Sequence, residues 1–134
     1  MEAGGSIVVG TDGSETAERA VDRAGVIARA LGATVHVLSA YTRDPAPARS
    51  EERAGANQSV KRAQQRLANL GVESETHVSR GEAGRALVQI AEEQGAQMIV
   101  VGNRGMTGAR RVLGSVPNHV SHHARCDVLI VSTS

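Results

Sequence analysis

The chain has almost no aromatic side chains: tryptophan and phenylalanine are absent and Tyr41 stands alone. Proteins that bind single-stranded nucleic acid stack bases on aromatic platforms, so this composition argues against that class. Charge is not in excess either. A formal net charge of +1 gives no electrostatic grip on nucleic acid or on an anionic membrane surface. Lysine is just as scarce: Lys61 is the only one, and it falls in a segment of helical period, so no Walker-type phosphate loop can be assembled around it. Cys126 is the only cysteine, which excludes an intramolecular disulfide and fits a reducing compartment. No apolar run approaches the roughly 20 residues of a membrane-spanning helix, and Met1 to Ser6 show no basic stretch leading into an apolar one. The expectation is a cytoplasmic protein with neither membrane nor nucleic acid as partner. Its 134 residues are about one domain long, taken as 1–134, with one continuous core.

What the chain does have is alternation. Short β-branched runs occur at Ser6–Val9, Thr34–Leu38, Ser74–Val78, Met98–Val101 and Val128–Val131. The first, fourth and fifth are continuous apolar runs, as in strands buried on both faces. The second and third alternate more and are expected nearer an edge. Between the runs lie segments of helical period. Ala17, Ala20, Val21, Ala24, Ile27, Ala28 and Leu31 form one apolar face, stopped by Gly32. Val60, Ala63, Leu67 and Leu70 form another before Gly71. Ala83, Ala86, Leu87, Ile90 and Ala91 form a third before Gly95, and Val116, Val120 and Ala124 a short fourth. Strictly alternating strands and helices predict right-handed crossovers and a mostly parallel, doubly wound sheet. A core of Ala, Val, Ile and Leu suits helices lying close to that sheet. Tyr41 to about Gly55 carries Pro45, Pro47 and charges without period, and reads as a mobile loop before the second helix.

In such sheets ligands sit at the carboxyl ends of the strands, where strand order reverses. After the first strand comes Gly10-Thr11-Asp12-Gly13-Ser14. After the fourth comes Gly102-Asn103-Arg104-Gly105-Met106-Thr107-Gly108, leading to Gly114-Ser115 and a helix that begins with Val116 and Pro117. Glycines let backbone N–H groups approach phosphate oxygens, and successive amides make an anion nest. A helix start adds N–H groups and a positive dipole end, and Pro117 fits an early helical position. Arg104, Arg110 and Arg111 add positive charge. The competing reading is that these glycines only turn the chain. Asp12 also has two readings: a capping pair with Glu15, or a carboxylate beside a ligand's base or ribose.

These stretches resemble the universal stress protein family in three regions, in order along the chain. Ile7 to Ser14 resembles the family's first strand and acidic turn. Val100 to Gly105 with Leu113 to Val116 resembles its nucleotide loop, Gly-x2-Gly-x9-Gly-Ser/Thr. Ala124 to Val131 is similar to its last strand, where prolines often stand at the places of Arg125 and Asp127. The resemblance implies a Rossmann-like five-stranded sheet in the order 3-2-1-4-5, ATP bound across strands one and four, and homodimers pairing along the last strand, Val128–Val131. The family's nucleotide-binding positions fall here on the Gly10-Thr11-Asp12 turn, with Asp12 at the sugar or base. Ala40 would hydrogen-bond adenine through its backbone. Val101, Gly102, Arg104 and Gly105 would line the ribose and phosphates, and Gly114, Ser115 and Val116 would cap the phosphates. Mg2+ or Mn2+ would accompany ATP through its phosphates. One departure stands out: eight residues, not nine, separate Gly105 from Gly114. The shorter loop could weaken a triphosphate grip or favour fewer phosphates, which keeps cyclic AMP (cAMP) open beside ATP. The family's subgroup that does not bind ATP lacks the loop that this chain keeps.

Other chemistry finds less support. His119 and His123, four apart, could share a helix face, but zinc needs a third ligand and none converges in the sequence, so they read as helix-end residues. His36 and His77 read as surface or edge residues. Ser14 and Ser115 lack a Gly-x-Ser-x-Gly elbow, and Cys126, just before a buried strand, reads as a small core or interface residue. Phosphoryl transfer needs a metal-holding acid and a group that orients the nucleophile; only Asp12 is near the loop. No catalytic residue is expected. The main reading is a nucleotide-binding regulator responding to stress or energy state, against a slow or autophosphorylating ATPase and an interaction module with a structural loop.

Overall fold

A computed structural model describes residues 3–41, 46–103, 106–107, 110–111 and 114–132. Strand β1 (Ser6–Gly10) buries its middle residues completely and lies at the centre of the sheet. It pairs in parallel with β2 (Thr34–Tyr41) on one side and β4 (Met98–Gly102) on the other. Strand β3 (Ser74–Arg80) flanks β2, and β7 (Asp127–Val131) flanks β4, again in parallel. The order β3-β2-β1-β4-β7 is the 3-2-1-4-5 arrangement that the resemblance implies.

Side chains alternate across the sheet, and each set meets a pair of helices. Ile7, Val9, Val35, Val37 and Val100 face α1 (Glu15–Leu31) and α2 (Ala46–Asn69). Val8, Leu38, Ile99 and Val101 face α3 (Ala83–Gln94) and α4 (Ser115–His123). On the first side α1 contributes Ala20, Ala24 and Ala28, all fully buried. Residues this small let a helix lie close to the sheet, which is how the fold fills its core without aromatic rings. Gly32 and Gly95 end α1 and α3 in left-handed backbone, as their places after the periodic runs predict.

Three expectations are corrected. The segment before the second helix is not all loop: α2 already begins at Ala46, while residues 42–45 lie outside the described residues. Residues 51–55 are exposed, so they need no apolar period, and their glutamates, arginine and alanine carry the helix by propensity. Pro47 falls in its first turn, where a missing N–H is tolerated. Second, β2 is interior and almost continuously buried; of the two strands expected near an edge, β3 alone lies there. Third, His36 is therefore not a surface residue but 2% exposed, its Nδ1 within 2.9 Å of His77 Nε2. The glycine-rich connection also holds a short antiparallel pair that the sequence did not announce, β5 (Met106–Thr107) with β6 (Arg110–Arg111). Among the described residues no helix is long and apolar enough to cross a membrane.

Candidate functional site

Strand order reverses between β1 and β4, and a cleft of about 400 Å³ opens at their carboxyl ends. The turn after β1 is fixed from within. Thr11 N–H donates to the Leu38 carbonyl of the neighbouring strand (2.9 Å), and Gly13 N–H donates to Thr11 Oγ1 (3.0 Å). Asp12 Oδ1 accepts from Ser14 N–H (2.9 Å), which leaves the capping of α1 to Ser14: its Oγ accepts from Ala17 N–H (3.2 Å). The capping-pair reading of Asp12 and Glu15 is thus corrected, because α1 starts at Glu15 and its cap must stand one residue earlier. Gly13 is required at its position. Its φ is +80°, and its α-carbon lies so close to Ser59 and Arg62 of α2 that a side chain would collide with both. Arg62 Nη2 also donates to the Gly13 carbonyl (3.0 Å), so α2 braces the turn from outside.

Across the cleft stands the mouth of α4. Gly114 is its N-cap and provides no side-chain cap. Pro117 has no N–H, so Ser115 and Val116 carry the two N–H groups of the first turn, the donor arrangement that suits an anion. The contrast with α1, whose mouth is closed by its own serine, is one of local chemistry rather than of fold. Much of the remaining lining is apolar, with Leu38 and Ala40 from β2, Ala17 from α1 and Leu87 from α3.

Nine of the residues singled out from sequence line this single cleft: Gly10, Thr11, Asp12, Ala40, Val101, Gly102, Gly114, Ser115 and Val116. Arg104 and Gly105 lie outside the described residues. Sequence reasoning missed Thr16, Ala17, Leu38, Ala83, Leu87 and Pro117 as lining. Ala17, Leu38, Ala83 and Leu87 showed only apolar periodicity, which marks a core residue and a cleft wall alike, and Pro117 showed only its place early in the last helix. Asp12 is the one carboxylate in the described lining, and among the described residues no three His, Cys, Asp or Glu side chains gather as a metal set. Cys126 is half-buried, and burial pushes its thiol pKa up, away from the thiolate a nucleophile needs.

A doubly wound parallel sheet with a cleft and an uncapped helix mouth at its switch point defines a class of Rossmann-like α/β domains. The chain belongs to the universal stress protein family, whose family model matches residues 5–132. It is 40% identical to universal stress protein Rv1636 of Mycobacterium tuberculosis (strain ATCC 25618 / H37Rv), over all of both chains. A crystal structure of a universal stress protein in complex with cAMP is 36% identical, covers 97% of this chain and 98% of its own, and superposes with a TM-score of 0.82. A universal stress protein from Archaeoglobus fulgidus in complex with dAMP is 29% identical, with 93% and 95% covered and a TM-score of 0.78.

Proposed function

We propose that this chain is an adenine-nucleotide-binding regulator that acts by binding rather than by efficient turnover. One observation carries this: the cleft pairs an apolar wall from β2, fitted to a flat base, with the uncapped mouth of α4, fitted to phosphate. The relatives bound to cAMP and dAMP support the same class of ligand. ATP with Mg2+ or Mn2+ is one candidate. The ion would be carried by the phosphates, because the described lining offers Asp12 as its only carboxylate. One carboxylate in the described lining is also poor equipment for phosphoryl transfer, which needs a metal-holding acid and a separate group to orient the nucleophile.

Within that class cAMP is the second reading, and two observations favour it. The loop between Gly105 and Gly114 is one residue shorter than the family pattern, and Lys61, the only lysine, lies on α2 rather than in the loop. The protein is read as cytoplasmic and as a homodimer through β7, in keeping with its single cysteine and its edge strand.

Mass analysis of ligand released from the purified protein, followed by calorimetry with ATP, cAMP, AMP and adenosine, tests this reading. Binding of none of them would overturn it. Metal-dependent ATP turnover above roughly 1 s⁻¹, the low end for enzymes, and lost in Asp12→Asn, would replace it with an enzyme.

A further inference from the structure

Helices α3 and α4 both line the cleft, and they pack tightly against each other at a glycine outside the lining. Helix α3 contributes Ala83 and Leu87 to the lining, and α4 contributes Ser115, Val116 and Pro117. Between Ala83 and Leu87 stands Gly84, buried in the first turn of α3, a position where glycine weakens a helix. A methyl carbon placed on Gly84 would stand 3.0 Å from His119 Cβ and 3.1 Å from its Cγ and Cδ2. His119 is one turn beyond Ser115, on the same side of α4. Its ring also lies against that of His123, with centroids 4.3 Å apart. The ring cannot swing aside without leaving His123, and Cβ is fixed to the helix backbone. Any pressure from position 84 therefore passes to α4 itself.

We infer that Gly84 and His119 are positioning residues for the phosphate end of the cleft: the missing side chain at 84 lets α4 sit close to α3, and this places the Ser115 and Val116 N–H groups. Neither residue appears in the lining, so both act through α4. The inference rests on the nucleotide reading above and adds which contact tunes it. Gly84→Ala displaces α4 by a few tenths of an ångström while improving the intrinsic helicity of α3, so affinity and stability part company.

The test measures nucleotide affinity and backbone amide spectra of Gly84→Ala, His119→Gly and the double variant. In the free protein, Gly84→Ala shifts the Ser115 and Val116 amide resonances while the β1–β3 resonances stay in place. It weakens binding of the phosphate-bearing nucleotide by about tenfold, since hydrogen bonds to a charged group lose strength steeply with misalignment. Adenosine, lacking phosphate, keeps its affinity. The double variant, with both the ring and the Cβ at position 119 removed, recovers nucleotide affinity to near wild type. Unmoved Ser115 and Val116 amides, an equal loss for adenosine, or a double variant no better than Gly84→Ala would each overturn the inference. If Gly84→Ala alone fails to fold, recovery of folding and affinity in the double variant supports it, and failure of both overturns it. A wild-type protein that binds no adenine nucleotide overturns the functional reading instead, while the amide shifts still decide the contact.

Discussion

His36 and His77 meet across the β2–β3 seam, Nδ1 of the first 2.9 Å from Nε2 of the second, with His36 buried among strands and His77 half-buried on the edge. Burial lowers the His36 pKa below its ordinary value; Glu75, 3.9 Å from Nε2, opposes this, and the His77 charge adds to it. The folded state therefore binds a proton at this site less readily than the unfolded chain. Stability from this site is complete above the unfolded pKa of about 6.5 and is lost as pH falls from there through the folded value. Urea midpoints measured from neutrality down to about pH 5 should fall for wild type and fall less for His36→Leu. Equal pH dependence in both would show that the pair is not the acid-sensitive element.

The mouth of α4 gives a direct prediction for ligand binding. Gly114→Val keeps a backbone conformation open to any residue, φ −61° and ψ 162°, so the fold should survive. Its methyl groups would crowd the approach to the Ser115 and Val116 N–H groups. Losing a hydrogen bond to a charged group costs roughly 1.5–3 kcal/mol, so calorimetry should show nucleotide affinity down by about tenfold to a hundredfold. Native circular dichroism with unchanged affinity would place the ligand elsewhere.

Neighbouring residues on α2 should behave very differently. Leu67 is fully buried between α1, α2 and the sheet, and Leu67→Ala should cost about 2–5 kcal/mol in chemical denaturation. Arg66 makes ion pairs with Asp22 and Glu18 of α1, but its side chain is 40% exposed. Solvent and salt screen such pairs, so Arg66→Ala should cost about 0.2–1 kcal/mol, and less at high salt. If Arg66→Ala were the worse variant, charge rather than burial would hold α2.

Strand β7 closes one end of the sheet, pairing with β4 on one side, and its Val128, Leu129 and Ile130 are half-buried. Long apolar edges attract other strands, and two-fold pairing with a second copy satisfies their N–H and C=O groups. Light scattering at micromolar concentration should report a dimer for wild type, and monomer or insoluble protein for Leu129→Pro or Ile130→Lys. A wild-type monomer, or variants that stay dimeric, would show that the edge is managed another way.

The strand–helix alternation was legible in sequence because buried parallel strands and helices with one apolar face differ sharply in period. Strand order was legible only through family resemblance, since nothing local in Val8 says whether β2 or β4 lies beside it. His36 was misplaced because a histidine in a strand pattern looks like an edge residue; its partner is far along the chain, where no short-range period records it. The early part of α2 was hidden because its exposed residues 51–55 carry no apolar stripe. Polar and glycine residues of the cleft stood out by type, whereas Leu38 and Leu87 could not be told from ordinary core.

The central strand of the sheet is also the first to be synthesised, and that has a consequence for assembly. Ile7 can pair with Val35 early, but its other partner, Met98, emerges only after three helices and two strands have been made. Contacts so distant in sequence form late and slowly. The first half of the chain can collect α1 and α2 on one side of β1 while its other edge still waits. The cleft does not exist until β4 and α4 arrive, so a ligand that needs both walls meets only finished molecules. Occupancy then rewards completion: at a hundredfold excess over Kd, ligand would add about 2.7 kcal/mol to the folded state. For such a chain, binding of the proposed ligand would be the last step of folding.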